Sequence, residues 1–440
     1  MLRIRLQHCR PGMTLAVPVY HPRAADMVLL RADVALDSLS IPHLMELGIT
    51  DVWIRYPGLE RLLRFVDPEM LKEQRALVST LGAALDQAFV SNRVEVDFYS
   101  CRRAITSIIR RMWETRECAV WMGQVAGADR PFVRHSGNVA YLSMLMGMRL
   151  DFYLVRERPR LSPGRAKDLT SLGLGALFHD IGMLRLTPDA ISRYNATLDD
   201  SDPAYRAHCA VGFDMVHGKL DPAASAVVLH HHQKHDGSGF PCRESFREEP
   251  RPARAREVHV LTRICAAADL LDRIRNPAHA PGASEIARPP IPMVRALKRL
   301  LDPTVRAWID PVVFRALFTV TPPYPPGCVV TLSDGTDAVV TAWTPKDPCR
   351  PVVELIDLEA HSRRKRRKPV LIDLRQRREL SVAALDGQGV LEDNFSPTSE
   401  DELDLTGLFR SSDGVATDAL SATPPPPMED LDVPPERLAA

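Results

Sequence analysis

The stretch Leu172-Gly173-Leu174-Gly175-Ala176-Leu177-Phe178-His179-Asp180-Ile181-Gly182 decides how this chain is read. Its apolar run reads as a buried helix, and it ends on an adjacent imidazole and carboxylate. Such a pair can chelate one ion at a helix end, while the second carboxylate oxygen bridges to another. Working outward, His230-His231-His232-Gln233-Lys234-His235-Asp236-Gly237-Ser238-Gly239-Phe240-Pro241 is the next informative segment. Its glycines permit positive φ and close backbone approach, and its proline stiffens the exit. His135, His208 and Asp269 each fall in a stretch that reads as a helix or its edge. His135, His179, Asp180, His208, His231, His232 and Asp269 are too many ligands for one ion that keeps a position open for water. They point to two divalent ions sharing Asp180, and mixed imidazole and carboxylate donors suit Fe, Mn, Co, Ni or Zn. Bridged metal pairs most often serve phosphoester or amide hydrolysis.

The chain around this constellation has 440 residues, 45% of them apolar and 25% charged, ordinary values for a globular protein with a sizeable core. The formal net charge is zero, which argues against a dedicated nucleic-acid binder. Charge is nevertheless uneven: the basic run Arg363-Arg364-Lys365-Arg366-Arg367-Lys368 precedes an acidic tail with Glu400, Asp401, Glu402, Asp404, Glu429, Asp430 and Asp432. The eight cysteines form no C-x-x-C pair, and the N-terminus lacks the apolar core of a signal peptide. No apolar stretch approaches the ~20 residues of a membrane span. Reduced thiols and a cytoplasmic location are therefore expected.

Periodicity divides the chain. Residues 1–60 alternate short β-like runs (Thr14 to Val19, Met27 to Leu30, Val52 to Ile54) with turns and one helix from Ile41 to Leu47, a small α+β module. Residues 61–128 repeat apolar positions at helical spacing (Leu77, Leu81, Leu85, Phe89; then Ile105, Ile108, Ile109, Met112) and read as a helical connector. The metal-binding part, 129–320, is mainly α, with helices at His135 to Leu150, Ala166 to His179 and Val258 to Ile274. A small β unit, 321–360, turns at Ser333-Asp334-Gly335. Residues 361–440 read as a basic linker and a Pro-rich disordered tail.

Taken together, His135, His179-Asp180, His231-His232 with the Gly237-Ser238-Gly239-Phe240-Pro241 loop, and Asp269-x-x-Asp272 resemble the HD-GYP family. These are His-Asp phosphohydrolases that hydrolyse the bacterial second messenger cyclic di-GMP. Pro11-Gly12-Met13-x-Leu15-Ala16-x-Pro18-Val19 also resembles the module that often precedes such a domain. The resemblance implies a multi-helix bundle that uses two transition-metal ions, Fe or Mn first, to convert cyclic di-GMP to pGpG and onward to GMP. It implies that His135, His179 and Asp269 hold one ion and His208, His231 and His232 the other, with Asp180 bridging. Candidate substrate contacts are Lys234, Asp236, Gly237, Gly239, Asp272 and Arg273. Diguanylate cyclase domains and a second copy of the chain are the implied partners.

Several positions depart from the family pattern. Met183 stands where a lysine usually meets substrate phosphate, Gln233 where a glutamate is usual, and Phe240 where the signature has tyrosine. Pro131 occupies the position of a third-metal glutamate, which favours a binuclear site. Losing one charged hydrogen bond costs about 1.5–3 kcal/mol, enough to weaken an enzyme and short of abolishing metal chemistry. A degenerate signalling or scaffold module without turnover, and a hydrolase for another nucleotide, are the competing expectations.

Overall fold

A computed structural model describes residues 1–405 except 23, 91–96, 116–119, 121, 123–129, 244–250, 285–287, 358–369 and 400–401. Helix Pro131–Arg149 forms its centre, with side chains from Phe132 through Met148 buried on every face. A helix buried all round must be wrapped by others. Helices Pro68–Val90, Thr170–Leu177, Val260–Arg275 and Pro311–Val320 pack against it. Pro222–His230 and His208–Val216 complete the shell on the side of Thr170–Leu177.

The expected helix from Ala166 to His179 is broken. Pro163–Ala166 is a separate short helix, and Asp168, in the turn after it, accepts from the Thr170 N–H at 2.9 Å. Thr170–Leu177 then stops before His179, and a 3-10 turn, Ile181–Arg185, follows Asp180. The metal-ligand pair thus sits at a junction between two helical pieces.

The first sixty residues form the small α+β module. Leu2–Arg5 pairs antiparallel with Asp51–Ile54, Val19–His21 pairs with Ala24–Leu30, and helix Ser40–Glu46 precedes Gly48. Its core takes in Val339 and Ile356, and Arg3 donates its backbone N–H to Gly327 at 2.8 Å, tying the module to the C-terminal sheet.

That sheet is larger than the expected β unit. Its six antiparallel strands run in the order Leu371–Asp373, Val352–Leu355, Asp337–Ala342, Val329–Leu332, Val382–Leu385, Gln388–Gly389. Three of these strands lie beyond residue 360, where the sequence reading places linker and disordered tail. Leu374, Leu380, Val382, Leu385 and Val390 bury themselves in the sheet's core, and Leu403 and Leu405 pack on the helical core. Short apolar runs inside a polar, Pro-rich composition supply enough burial to order this stretch. The basic run 363–368 and the acidic residues Glu400, Asp401, Glu429, Asp430 and Asp432 lie outside the described residues.

Candidate metal centre

The candidate ligands come from five separate places in the fold. His135 lies in the first turns of the central helix, His179 and Asp180 at the helical junction, and His208 at the start of His208–Val216. His231 follows the end of Pro222–His230, and Asp269 sits mid-way along Val260–Arg275. All six side chains are buried.

Asp180 joins two groups of donors. Its Oδ2 lies 3.5 Å from His135 Nε2 and 3.3 Å from His179 Nε2. Its Oδ1 lies 3.4 Å from His208 Nε2 and 3.3 Å from His231 Nε2. Asp269 Oδ1 closes the first group, 3.2 Å from His135 Nε2 and 3.7 Å from His179 Nε2.

The hydrogen bonds at the far side of each ring fix the tautomers. His179 Nδ1 donates to Ala176 O at 2.8 Å, His208 Nδ1 to Tyr205 O at 2.6 Å, and His231 Nδ1 to Val228 O at 2.8 Å. His135 Nδ1 donates to Asp272 Oδ2 at 2.7 Å. In a neutral imidazole the other nitrogen is then a bare lone pair. Two such pairs face each other, His135 and His179 Nε2 across 3.2 Å and His208 and His231 Nε2 across 3.3 Å. Facing lone pairs repel unless a cation lies between them. Asp180 Oδ1 and Asp269 Oδ1 are likewise buried without a hydrogen-bond donor. Buried orphan acceptors of this kind are costly unless something positive satisfies them, so the donor set fits divalent metal ions.

The electrostatics divide the donors. Burial raises the carboxyl pKa of Asp180, but His179 and the other imidazoles outweigh it and hold the group well below its usual range. Asp269 is held well below too, burial again being outweighed, here first by Arg273. Burial pushes His208 down to about 4, so it stays neutral and able to ligate. For His179 burial is outweighed by Asp180, which carries the imidazole up to about 9. Proton and metal therefore compete for that nitrogen.

His232 differs from the rest. Arg273 Nη1, which can only donate, points at His232 Nδ1 at 3.1 Å, so the proton of the neutral ring sits on Nε2. That Nε2 is buried with no hydrogen-bond partner. Phe240 stacks on the same ring at 4.5 Å, filling by packing the place where the expected tyrosine would stand.

The expected substrate contacts separate into two sets. Arg273 and Lys234 line a cleft beside the ligands, together with Asp200, Gln233 and Trp308. Lys234 Nζ rests 3.6 Å above the Trp308 ring, and Arg273 also meets Asp200 and Asp269 at 3.4 Å each. Asp272 is not placed for substrate: it is buried, orients His135, and accepts from Asn138 and Asn276 at 2.8 Å each. Asp236 is exposed and shapes its own loop by accepting from Ser238 N at 2.9 Å. Gly237 adopts φ +85°, a turn requirement. At Gly239 a Cβ would lie 2.3 Å from His232 O, so the residue is small to let the loop close on the histidines. Gln233 donates to Pro241 O and braces the same loop, in which the Phe240–Pro241 bond is cis.

Met183 is buried in the helical core and offers the cleft neither charge nor surface. Sequence reading passed over four further residues: His279, Tyr194, Trp308 and Cys209. His279 is buried with its ring 4.9 Å from that of His135 and its Nε2 accepting from Tyr194 OH at 2.9 Å. Trp308 forms a cleft wall, and Cys209 Sγ stands 3.5 Å from His208 Nε2. Adjacency to His208 was the one available signal for Cys209.

Residues 132–274 match the HD domain family. A 3'3'-cGAMP-specific phosphodiesterase of Vibrio cholerae is 29% identical over 206 residues, covering 46% of this chain and 38% of the relative. A cyclic di-GMP phosphodiesterase of Pseudomonas aeruginosa is 25% identical over 267 residues, 59% of this chain and 53% of the relative. A cyclic di-GMP phosphodiesterase response regulator of Xanthomonas campestris is 23% identical, covering 52% and 53%. The chain thus spans only 38% to 53% of the length of these relatives. Among solved structures, an HDG"Y"P protein of Bdellovibrio bacteriovorus aligns over 72% of this chain and 97% of its own, at 15% identity and a TM-score of 0.39. Members of the HD domain family bind divalent metals, and the buried His/Asp groups here could hold them. No helix among the described residues is long and apolar enough to cross a membrane. The stretch that matches the HD domain family, residues 132–274, contains all of the converged His-Asp ligands.

Proposed function

We propose that this chain is a two-metal phosphodiesterase that hydrolyses cyclic di-GMP to pGpG and onward to GMP. The observation that carries the reading is Asp180, whose two oxygens each face a different pair of imidazole Nε2 atoms. On this reading His135, His179 and Asp269 would hold one ion and His208 and His231 the other, with His232 beside them and Asp180 serving both; Fe and Mn are the first candidates. Two such ions supply an activated water and polarise a phosphoryl oxygen.

The chain's own groups do the rest. Arg273 and Lys234 are cations of the cleft and would bind the phosphodiester in place of the missing lysine at Met183, while the cleft's Arg263 is paired with Glu157 and Asp310. Trp308 offers an apolar wall to a base. Asp272 keeps His135 in the ligating tautomer, and the buried helix ends keep bulk water from the donor atoms. The relatives' names support a cyclic dinucleotide as substrate, and one of them favours a second reading, cyclic GMP-AMP. The altered phosphate contacts at Met183 and Gln233 keep that alternative open, as they do a scaffold without turnover.

We further propose the division into an N-terminal module, helical connector, metal-binding bundle and β unit, cytoplasmic work on the nucleotide pool, and diguanylate cyclase domains or a second copy as partners. The decisive test is anaerobic incubation of metal-analysed protein with cyclic di-GMP and with cyclic GMP-AMP, followed by product chromatography. Native protein should release linear product from one of them, and His179→Ala with Asp180→Ala should release none. Equal turnover by that double variant would refute the mechanism, and no product from metal-replete native protein would favour the scaffold.

A further inference from the structure

We infer that Cys209 is a sulfur ligand of the ion held by His208 and His231, a reading that rests on the two-ion site proposed above. Donor atoms of His208, Cys209, His231 and His232 all lie within 4.8 Å of one another, and all four residues are buried. Cys209 Sγ is 3.5 Å from His208 Nε2, and the two Nε2 atoms of His208 and His231 are 3.3 Å apart. Tetrahedral donors bonded at ~2.0–2.1 Å through nitrogen and ~2.3 Å through sulfur stand roughly 3.3–3.6 Å apart. The sulfur therefore lies at a donor's distance from His208, as a fourth protein donor beside His231 and Asp180.

A buried cysteine is ordinarily a small apolar filler, with its sulfur against carbon. Here the sulfur faces a nitrogen whose proton is excluded by the Tyr205 carbonyl on the far side of the ring. His232 is the rival donor, but Arg273 at 3.1 Å holds its proton on Nε2. On coordination the thiol proton leaves to solvent and the sulfur lone pair forms the new bond. No oxidant or reductant is needed. A thiolate donor moves the site's preference from Mn toward softer ions such as Fe, Co and Zn.

The full chain, loaded anaerobically with Co(II) and analysed for bound cobalt, provides the test. A thiolate-to-cobalt charge-transfer band in the near ultraviolet is expected, with a sulfur shell at ~2.3 Å in X-ray absorption. Both signals should vanish in Cys209→Ser and Cys209→Ala at retained cobalt, and persist in Cys9→Ser and His232→Ala. Bound cobalt without the band in native protein, or a band that survives Cys209→Ser, overturns the sulfur ligand alone. A chain that binds no cobalt overturns this inference and the two-ion reading together.

Discussion

Arg273 donates to Nδ1 of His232 across 3.1 Å, and this contact gives His232 the tautomer opposite to that of the other candidate ligands. The guanidinium also meets Asp269 Oδ2 at 3.4 Å, drawing on a carboxylate that faces the first donor group. It is thus a competitor for metal and, lining the cleft, a cation for substrate phosphate.

Arg273→Ala should separate these roles. Freed of the guanidinium, His232 can place its proton on Nδ1 and turn Nε2 toward the ion. Metal affinity measured by chelator competition should rise roughly tenfold, about 1.4 kcal/mol. Turnover should fall, with kcat/KM down by an amount corresponding to about 1.5–3 kcal/mol for one charged contact. Looser metal in the variant would show that Arg273 supports the ligands rather than competing with them.

Asp272 acts on the metal through His135. Asp272→Ala removes the acceptor for His135 Nδ1–H, and Asn138 and Asn276 lose their shared partner with it. Losses of this kind usually lower metal affinity ten- to hundredfold. Metal content against free-metal concentration, with circular dichroism to confirm the fold, is the measurement; unaltered affinity would remove Asp272 from the site.

The ligands were legible because their residue types are rare in apolar surroundings, and because His179-Asp180 and His231-His232 are adjacent in the chain. Helix Val260–Arg275 was legible from its period, close to the expected Val258 to Ile274. What escaped depends on geometry that spacing does not encode. Asp269 and Asp272 share a helix face, yet one meets the donor cluster and the other the back of His135. His279 and Tyr194 reach the site from segments with no apolar period of their own, and their 2.9 Å contact spans 85 residues of sequence. The strands after residue 360 were hidden because Val382–Leu385 is short and its burial is defined by its pairing with Val329–Leu332, far off in sequence.

Gly182 fixes how the helical junction meets the His208 helix. A Cβ at this position would lie 2.0 Å from His208 O and 2.6 Å from Gly212 N, both backbone atoms that cannot rotate away. Gly182→Ala must therefore part the two segments, at a cost of about 1–3 kcal/mol or more for overpacking. Because the same shift moves His208 away from Asp180, the variant should lose cooperative unfolding stability in urea and bound metal together. A variant that loses stability yet keeps full metal content would uncouple the junction from the site.

Asp310 supplies a pH dependence outside the metal centre. It accepts from Tyr153 OH at 2.6 Å and pairs with Arg263, and its other oxygen caps helix Pro311–Val320 through Val312 N at 2.8 Å. Burial works to raise its pKa, but Tyr153 and Arg263 outweigh burial and hold the carboxyl below its ordinary value. A carboxyl whose folded pKa is depressed contributes stability that is fully present above its unfolded value, about 3.9, and is lost as pH falls through the folded value. Asp310→Asn keeps the shape and removes the charge, leaving Arg263 with Glu157 at 2.6 Å as its remaining anionic partner. Urea unfolding of metal-free protein should show the variant less stable by about 3 kcal/mol at neutral pH, the low end for breaking a buried pair. The gap between the two proteins should then close as pH drops below about 4, since shared titrations, including those of the metal-site histidines, cancel in the difference. A gap that stays constant from pH 7 to pH 3 would mean that packing and capping, rather than the charge on Asp310, hold these helices together.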